Sequence, residues 1–514
     1  MRIVTSGEMY RIEEAAEKRG VSRRILMENA GKNIARNLAN LFPDYKKKNI
    51  CILCGKGNNG GDGLVAARYL KKMGAHPSVS ILGRIHDISP LARENLSRLK
   101  KLKVRIHEIV KAEQIAEEIK NSSILIDAIF GTGFKGEIKG LYADVIDLLS
   151  FYTEGRRPSV VAVDLPSGMD ADTGKISSPQ IRADWTFTLG LPKKGLFLHP
   201  GIEYAGNILV LDIGIPQEII GKGWLNLLSK EEISGFFPPR NTGAHKGSFG
   251  HTFILAGSPG FTGAAALAGT AALWSGAGLV TVGIPESLNT IMSVKLTEAM
   301  TKPFPETRAQ TLGLKSFKGI LEFSKKVDVL AIGPGLSRVG ETRKLILKVI
   351  ENINLPMVID ADALFALRGH TDILKRRRSP AVLTPHPGEM VYLTGKSLDW
   401  IQSHRIEYTR DFAVEFKVIT ILKGARTVIA SPSGEVWVNP TGNPGMATGG
   451  SGDVLTGIIA SLTGQGLNLL NASKAGVFLH GLAGDIAREE KGEYSLVASD
   501  IITKLPQAFK NVVL

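Results

Sequence analysis

Two glycine-rich loops carry residues whose types and spacing could handle a phosphate group. The first loop reads Gly-Lys-Gly-Asn-Asn-Gly-Gly-Asp-Gly over residues 55–63, and the second reads Asn-Pro-Gly-Met-Ala-Thr-Gly-Gly-Ser-Gly-Asp over residues 443–453. Each follows an apolar, strand-like segment and precedes an apolar segment with helical spacing. Both loops would therefore place backbone N–H groups, which bind anions, at the start of a helix. Two loops of different design suggest two chemistries on related nucleotide substrates.

Two aspartates end strand-like segments in the first half of the chain. Asp127 lies within the apolar segment 124–130, and Asp164 directly follows the segment 160–163. Ligands bind at the carboxyl ends of the strands in open α/β sheets. Each aspartate could simply cap the loop that follows it. Because a carboxylate in apolar surroundings is costly unless it is paired, metal-bound or used, we interpret both as functional residues.

Asp453 combines a carboxylate with the second glycine loop. It lies at the start of a predicted helix, where an aspartate could serve only as an N-cap. Phosphoryl transfer to a hydroxyl, however, needs both an anion site and a group that accepts the hydroxyl proton. We therefore predict that Asp453 is a catalytic base. His386, between two prolines, could be an ordinary loop histidine, and we interpret it as lining the same site.

The segments that position these residues alternate between strand and helix patterns. Apolar runs of this length predict parallel sheets covered on both faces, so the fold class is α/β in both halves. The predicted strands span residues 49–54, 78–82, 124–130, 160–163, 252–256, 327–332, 357–359, 382–383 and 419–422. Glycines and prolines near residues 215–235 predict a domain boundary. We predict one domain over 1–215, a linker over 216–234 and a second domain over 235–514.

The bulk composition is that of a globular protein with more than one domain. The chain has 514 residues, of which 43% are apolar and 22% charged, and it carries 63 basic and 49 acidic residues. No apolar run approaches the roughly 20 residues that span a bilayer, and no signal core follows Met1, so we expect a cytoplasmic protein without membrane association. The net charge of +14 would suit nucleic acid or polyanionic dinucleotides. Because no basic stripe is interleaved with aromatic residues, we expect no nucleic acid partner.

Two smaller patterns limit the alternatives. Cys51 and Cys54 lie in one predicted strand, so we interpret them as core residues on opposite faces rather than a redox pair. Gly55, Gly57 and Gly60 satisfy the G-x-G-x-x-G dinucleotide fingerprint, although a tight turn without a ligand would also need them. The fingerprint expects an acidic residue about 20 positions on. Here the next predicted strand is followed by Gly83-Arg84, with no carboxylate. This disfavours an ordinary dehydrogenase and leaves room for a 2′-phosphate near Arg84.

The first half resembles a known family in three motifs. They are Asn-Asn-Gly-Gly-Asp-Gly at 58–63, Asp127 with Gly-Thr-Gly at 131–133, and Asp-Leu-Pro-Ser-Gly at 164–168. Over roughly residues 1–215 these motifs are similar to the NAD(P)H-hydrate epimerase domain. The resemblance implies an N-terminal Rossmann-like three-layer domain that interconverts the R and S hydrates of NADH and NADPH.

The same resemblance implies site residues. A potassium ion would be bound by Asn59, Asp127 and Ser167. The residues expected to cradle the dinucleotide are Asn58, Asn59, Gly60, Gly61, Asp62, Gly131, Thr132, Gly133, Phe134, Lys135, Gly136, Glu137 and Asp164. A buried carboxylate can transfer protons as the damaged ring opens and recloses at C6. Asp127 and Asp164 are both candidates for this acid/base, and the sequence does not choose between them.

The second half resembles another family. Gly-Gly-Ser-Gly-Asp at 449–453 resembles the ribokinase-like fold. With His-Lys-Gly at 245–247 and the segments 333–336, 360–364 and 384–389, the set is similar to ADP-dependent NAD(P)H-hydrate dehydratase over roughly residues 235–514. Phe365 departs from the asparagine that this family pattern leads us to expect, and Ser248 from a larger or acidic residue.

That resemblance implies a reaction and the residues for it. ADP would phosphorylate the C6 hydroxyl of the S hydrate, and loss of phosphate would restore the reduced nicotinamide and leave AMP. Asp453 would deprotonate the hydroxyl, and Ala264, Gly335 and His386 would contact the hydrate. The residues expected to bind ADP are Lys423, Gly424, Ala425, Arg426, Thr427, Gly449, Gly450, Ser451 and Gly452. Magnesium is expected with the phosphates, without a firm protein ligand.

Together these observations predict a bifunctional repair enzyme that acts on NADH and NADPH hydrates with ADP. A homo-oligomer is expected by analogy. One alternative is a small-molecule kinase for pyrimidine or thiazole precursors, fused to a nucleotide-binding domain. Another is a non-catalytic, RNA-associated scaffold, which the presence of Asp127, Asp164 and Asp453 argues against.

Overall fold

The computed structural model describes residues 1–151 and 158–513. The chain forms two compact units, one spanning Arg2–Gly223 and the other running from Trp224 onwards and including Met1. We call them the first unit and the second unit. Each has its own sheet, so each is described by itself.

The first unit is built on a seven-stranded parallel sheet. Its strands are β1 Ile50–Cys54, β2 Pro77–Leu82, β3 Arg105–Ile109, β4 Ile124–Ala128, β5 Ser159–Val163, β6 Trp185–Leu189 and β7 Asn207–Leu211. They lie in the order β3-β2-β1-β4-β5-β6-β7, so the direction of winding reverses between β1 and β4. A crevice at the carboxyl ends of the strands is expected at such a reversal.

Helices cover the first sheet on both faces. They are α1 Ser6–Lys18, α2 Arg23–Leu41, α3 Asn58–Lys72, α4 Pro90–Lys100, α5 Ala116–Asn121, α6 Leu141–Phe151 and α7 Gln217–Ile220. Two buried clusters divide the side chains of β1 between the faces, with Ile52 and Cys54 in one and Cys51 and Leu53 in the other. The two cysteines are free and buried on opposite faces, as the sequence predicts.

The second unit is built on a ten-stranded sheet. Its strands are β8 Leu225–Leu227, β9 His251–Leu255, β10 Leu279–Pro285, β11 Met300–Phe304, β12 Val329–Ile332, β13 Met357–Ile359, β14 Ala381–Leu383, β15 Ile419–Leu422, β16 Val428–Ala430 and β17 Val436–Val438. The order is β11-β10-β9-β12-β13-β14-β15-β16-β17-β8. The strands from β11 to β15 are parallel, whereas β16 is antiparallel to both of its neighbours. The α/β class predicted for both halves is confirmed.

The helices of the second unit pack around this sheet. They are α8 Lys230–Ser234, α9 Thr262–Trp274, α10 Asn289–Lys295, α11 Phe317–Ser324, α12 Gly340–Asn352, α13 Asp362–Leu367, α14 Asp372–Lys375, α15 Pro387–Thr394, α16 Leu398–Ser403, α17 Arg405–Phe416, α18 Ser451–Gly464, α19 Leu469–Lys491 and α20 Ala498–Val513. Within the described residues, no helix has both the length and the apolar character needed to cross a membrane.

Part of the segment predicted as a linker, 216–234, has regular structure. Strand β8 pairs in parallel with β17, with Leu225 opposite Val436, and α8 follows it. Leu225 and Ile233 are buried, so this segment contributes apolar surface to the second unit. The glycines around it mark the chain's turns correctly, but a strand of three residues is too short for a sequence pattern to reveal.

Candidate active sites

The first glycine loop joins β1 to α3. Helix α3 begins at Asn58, with Gly57 as its N-cap. A side chain at Gly55 would collide with the carbonyl oxygen of Ile129, and one at Gly60 with the carbonyl oxygen of Gly55. The loop therefore folds tightly against the end of β4, which explains two of its glycines.

Asp127 is fully buried at the end of β4. Its carboxylate accepts hydrogen bonds from the Ser167 hydroxyl (2.6 Å), the Ser167 amide (2.8 Å) and the Ile129 amide (3.2 Å). The Ser167 hydroxyl oxygen accepts from the Phe130 amide at 3.0 Å, and the Asn59 side chain donates to the Phe130 carbonyl at 3.0 Å. The three residues expected to bind potassium are thus brought together around the backbone of Phe130.

Burial controls the charge of Asp127. It raises the pKa of this carboxyl to about 6, although the hydrogen bonds from Ser167 and Ile129 oppose the rise. Since these donors occupy both carboxylate oxygens, Asp127 is held in place as a structural centre of the site.

Asp164 follows β5 with a backbone angle φ of +68°, a left-handed conformation that is uncommon for a residue other than glycine. Its carboxylate pairs with the ammonium group of Lys193 and accepts from the Leu189 amide at 3.1 Å. Lys193 is only 1% exposed, and it also donates to the Leu189 carbonyl at 2.7 Å. A strained backbone that carries a buried ion pair at a strand end is typical of a functional site.

The loop after β4 lies beside this centre. A side chain at Gly131 would approach the Asn59 amide oxygen to 3.1 Å, so residues 58–59 and 131 are neighbours. Phe134 packs on Phe130, with their ring centroids 5.1 Å apart. The more distal residues of the predicted cradle, Gly133, Lys135, Gly136 and Glu137, are exposed.

The second glycine loop is anchored from behind by α19. The Asp485 carboxylate accepts hydrogen bonds from the Gly442 amide and the Asn443 side chain, both at 2.9 Å. The loop enters α18 through Gly450, whose φ is +91° and where a side chain would press on Leu267. Because the first N–H groups of a helix have no intrahelical partner, those of Gly452 and Asp453 are available to an anion.

A lysine lies among carboxylates next to this loop. The Lys423 ammonium is 2.9 Å from an oxygen of Asp360 and 3.6 Å from an oxygen of Glu389. A side chain on Gly452 would come within 3.2 Å of the same ammonium. The ammonium therefore lies directly beneath the start of α18, where it would meet a bound phosphate.

Two hydroxyls complete the environment of Asp360. They belong to Thr384, at 2.7 Å, and Thr456, at 2.8 Å. Asp360 is 1% exposed, and with the Lys423 contact both of its oxygens are occupied. Asp360 is thus a fixed negative charge behind the loop.

Asp453 lies in the same group and has no such hydrogen-bond partner among residues 1–151 and 158–513. Burial, followed by the negative charge of Asp360, raises its pKa to about 7, while Lys423 opposes the rise. A pKa near the working pH is what a general base needs. The geometry therefore combines anion-binding N–H groups, a cation and a proton acceptor.

The residues predicted to contact the hydrate lie in two places. A side chain at Gly335 would come within 3.2 Å of the Ala264 Cβ, so these two positions adjoin. His386 caps α15 by accepting from the Glu389 amide at 3.2 Å. Its ring is exposed and lines a cavity of about 620 Å³ with Arg338 and Phe365.

Comparison with known proteins identifies both halves. The family described as NAD(P)H-hydrate dehydratase matches residues 252–507, and the family described as YjeF-related protein N-terminus matches residues 23–195. The bifunctional NAD(P)H-hydrate repair enzyme Nnr of Moorella thermoacetica is 44% identical, over 100% of this chain and 97% of its own length. That of Thermofilum pendens is 38% identical, over 99% and 96%. The chain belongs to the family of bifunctional NAD(P)H-hydrate repair enzymes.

A solved structure is similar to the second half. The ADP/ATP-dependent NAD(P)H-hydrate dehydratase of Bacillus subtilis, co-crystallised with ATP and Mg²⁺, is 31% identical. The match covers 56% of this chain and 98% of that one, with a TM-score of 0.49. The family and the enzyme class that the motifs predict are confirmed by the full-length relatives.

Sequence reasoning missed several residues of the two sites in this repair enzyme. Lys193 was detectable, because it closely follows the end of β6 as Asp164 follows the end of β5. His480 gave no signal. It lies on α19, and its Nε2 lies 3.0 Å from the Ser451 carbonyl oxygen. Burial lowers the pKa of His480 to about 4, so it supports the glycine loop as a neutral donor.

The segment 423–427, predicted to bind ADP, is folded by its own contacts. Arg426 donates to the Pro440 carbonyl, and the Thr427 hydroxyl donates to the Gly424 carbonyl at 3.0 Å. Gly424 has a φ of +126° and passes close to the buried Arg405 guanidinium. The binding of ADP by residues 423–427 stays a prediction. The structure also shows a contact between Lys423 and Asp360, which the sequence did not indicate.

Proposed function

We propose that the first unit interconverts the R and S hydrates of NADH and NADPH, and that the second unit dehydrates the S hydrate with ADP, releasing AMP and phosphate. The observation that carries the second proposal is Asp453, a carboxyl with a pKa of about 7 beside free N–H groups and the Lys423 ammonium. Family membership supports both halves, because the curated relatives named as bifunctional repair enzymes match over nearly their whole length.

The dehydration needs a better leaving group than hydroxide. Asp453 takes the proton of the C6 hydroxyl. At the same time the hydroxyl oxygen bonds to the β-phosphorus of ADP, and the bond between that phosphorus and AMP breaks. The N–H groups at the start of α18 stabilise the transferring phosphoryl group, and Lys423 balances its charge. The C6–O bond then breaks as phosphate leaves, and loss of the C5 proton restores the reduced ring.

Magnesium would neutralise phosphate charge during this transfer. Within residues 1–151 and 158–513, no cluster of three or more His, Cys, Asp or Glu side chains is arranged to hold a metal ion. We therefore propose that Mg²⁺ is held chiefly by phosphate oxygens and water.

In the first unit we propose a potassium ion bound by Asn59, Asp127 and Ser167. The donor set fits a hard cation, because these side chains offer amide, carboxylate and hydroxyl oxygens around one backbone segment. Asp164, which pairs with the Lys193 ammonium, is then the proton acceptor of epimerisation. Bound potassium would supply positive charge toward the dinucleotide.

Product analysis tests the dehydratase half. Purified S hydrate and ADP should give reduced nicotinamide, AMP and phosphate in equal amounts, and Asp453→Asn should give none of them. A phosphorylated product that accumulates would identify a small-molecule kinase instead.

Replacing the alkali cation tests the potassium proposal. Exchange of K⁺ for Li⁺ at constant ionic strength should slow epimerisation and leave dehydration unchanged. Asp127→Asn should remove this cation dependence. Equal epimerase rates in both salts would rule out the potassium site.

A further inference from the structure

Four ionisable side chains gather beside the first glycine loop. Asp62 lies on α3, Glu13 on α1, Asp164 after β5 and Lys193 after β6, and the charges of the other three all act on Asp62. The Asp164–Lys193 pair is buried, and Asp62 is 9% exposed. The cluster therefore holds three carboxyls and the Lys193 ammonium, and the Arg23 guanidinium also acts on Glu13.

Asp62 is the unpaired member of the buried part of this cluster. Within the part of the chain that the structure describes, its carboxyl has no hydrogen bond or ion pair, whereas Asp164 has Lys193 and the Leu189 amide. Burial, then the charges of Asp164 and Glu13, raise the pKa of Asp62 well above its usual range, and Lys193 opposes this only in part. The neighbouring Cys54 thiol is buried, and burial raises its pKa too, so it supplies no charge. The surroundings of Asp62 therefore favour its protonated form.

Asp127 is less suited than Asp62 to donate a proton. Its carboxylate oxygens are occupied by the hydroxyl and amide of Ser167 and by the amide of Ile129. Glu13 is only partly buried and lies on α1. Asp62 instead follows the glycine loop after β1, at the reversal of the strand order.

We propose that Asp62 is the general acid of epimerisation and works with Asp164 as the base. The proposal rests on the epimerase function proposed above. Asp62 gives its proton to N1 of the hydrated ring as the C6–N1 bond breaks and its electron pair moves to N1. Asp164 takes the hydroxyl proton, and the O–H pair forms the C6 carbonyl. After rotation about the C5–C6 bond, N1 attacks the opposite face of C6, its proton returns to Asp62, and the oxygen recovers its proton from Asp164.

The two carboxyls end this cycle in the protonation states in which they began. No oxidant, reductant or further reactant is needed, because the reaction only inverts the configuration at C6. One protonated and one ionised carboxyl in the same site is a recurring solution for acid and base chemistry at neutral pH.

The test follows the R/S ratio by chromatography, starting from pure R hydrate, in an Asp453→Asn background that cannot consume the S epimer. Asp62→Asn should slow epimerisation by about a hundredfold or more while KM stays within about threefold, because an acid is removed and the shape is kept. Asp62→Glu should recover part of the rate. Asp44→Asn, which changes an exposed carboxyl elsewhere in the first unit, is the control.

Stability separates this role from a structural one. A carboxyl whose pKa is raised by folding destabilises the fold as pH rises above its unfolded pKa. Asp62→Asn should therefore keep or raise the unfolding temperature at neutral pH, and in the protein that retains Asp453 it should leave dehydration of S hydrate intact. If the background protein does not epimerise R hydrate, the proposed function fails. If it does and Asp62→Asn keeps more than about a tenth of the rate, Asp62 is not the acid.

Discussion

The two sheets of this protein wind in the same order but place their glycine-rich loops differently. In the first unit the loop follows β1, where the direction of winding reverses. In the second unit the strands β11-β10-β9-β12-β13-β14-β15 repeat that order, yet the loop follows the antiparallel pair β16 and β17. The comparison shows that one sheet architecture can host two chemistries, set by which loop carries the glycines and the acid.

The lysines sharpen this contrast. Lys193 has 1% of its side chain exposed and pairs with one carboxylate, whereas Lys423 is 18% exposed and lies between Asp360 and Glu389 beside the glycine loop. Lys193 is buried and holds the Asp164 carboxylate in place. Lys423 remains accessible to an anion.

The largest effect should come from Asp453→Asn. Without its proton acceptor, the dehydratase rate should fall by about 10²–10⁴-fold, measured as return of reduced nicotinamide absorbance. Epimerisation of R hydrate should stay at the wild-type rate, because Asp453 belongs to the second unit. A parallel loss of epimerase activity would mean that the two sites do not work independently.

Lys193→Met should be the most damaging change to stability. It leaves the Asp164 carboxylate buried without its cation, which costs about 3–5 kcal/mol. Chemical unfolding monitored by fluorescence should show this loss in the transition of the first unit. Lys423→Met should cost less, since solvent reaches that site, and should instead lower dehydratase activity. Equal stability losses would remove the distinction between the two lysines.

The pH dependence of the two reactions should run in opposite directions. Asp453 must be ionised to act as a base, so dehydratase kcat/KM should fall about tenfold per unit below its pKa of about 7. Epimerisation should instead lose rate as pH rises past the elevated pKa of Asp62. Rate profiles for both reactions on one preparation would check this, and two profiles with the same slope would contradict the assignments.

Two glycines of the first glycine-rich loop should differ in how well they tolerate a side chain. Gly55→Ala forces a side chain against the Ile129 carbonyl and should destabilise the first unit by about 1–3 kcal/mol. Gly57→Ala meets open space and is the matched control. Unfolding midpoints and epimerase rates of the two variants should separate clearly.

The smallest effect should come from Arg338→Ala. The Arg338 guanidinium lies 3.4 Å from the centroid of the Phe365 ring, a contact worth about 0.5–1 kcal/mol at an exposed site. Phe365 departs from the asparagine expected at this position, and the structure gives it this partner. Phe365→Asn should cost more, measured by unfolding, because it also removes the packing of this ring on Tyr392.

Local patterns in the sequence predicted the strand–loop–helix units, because glycines, apolar runs and strand-end aspartates act within a few residues. They did not predict the ion pairs that lie in the two candidate sites. Lys423 contacts Asp360 although the two are 63 residues apart in the sequence, and Lys193 contacts Asp164 across 29 residues. Such contacts depend on which strands are neighbours, which only the assembled sheet defines. The contact of His480 with Ser451 could not be predicted for the same reason, because tertiary packing brings α19 to Ser451.

The most direct measurement mixes the purified protein with both hydrate epimers and follows the return of reduced nicotinamide with ADP, with ATP and without nucleotide. The account predicts complete recovery of both epimers with ADP and none without nucleotide. Recovery that stops at the S fraction would contradict the epimerase assignment of the first unit. No recovery under any condition would contradict the repair function as a whole.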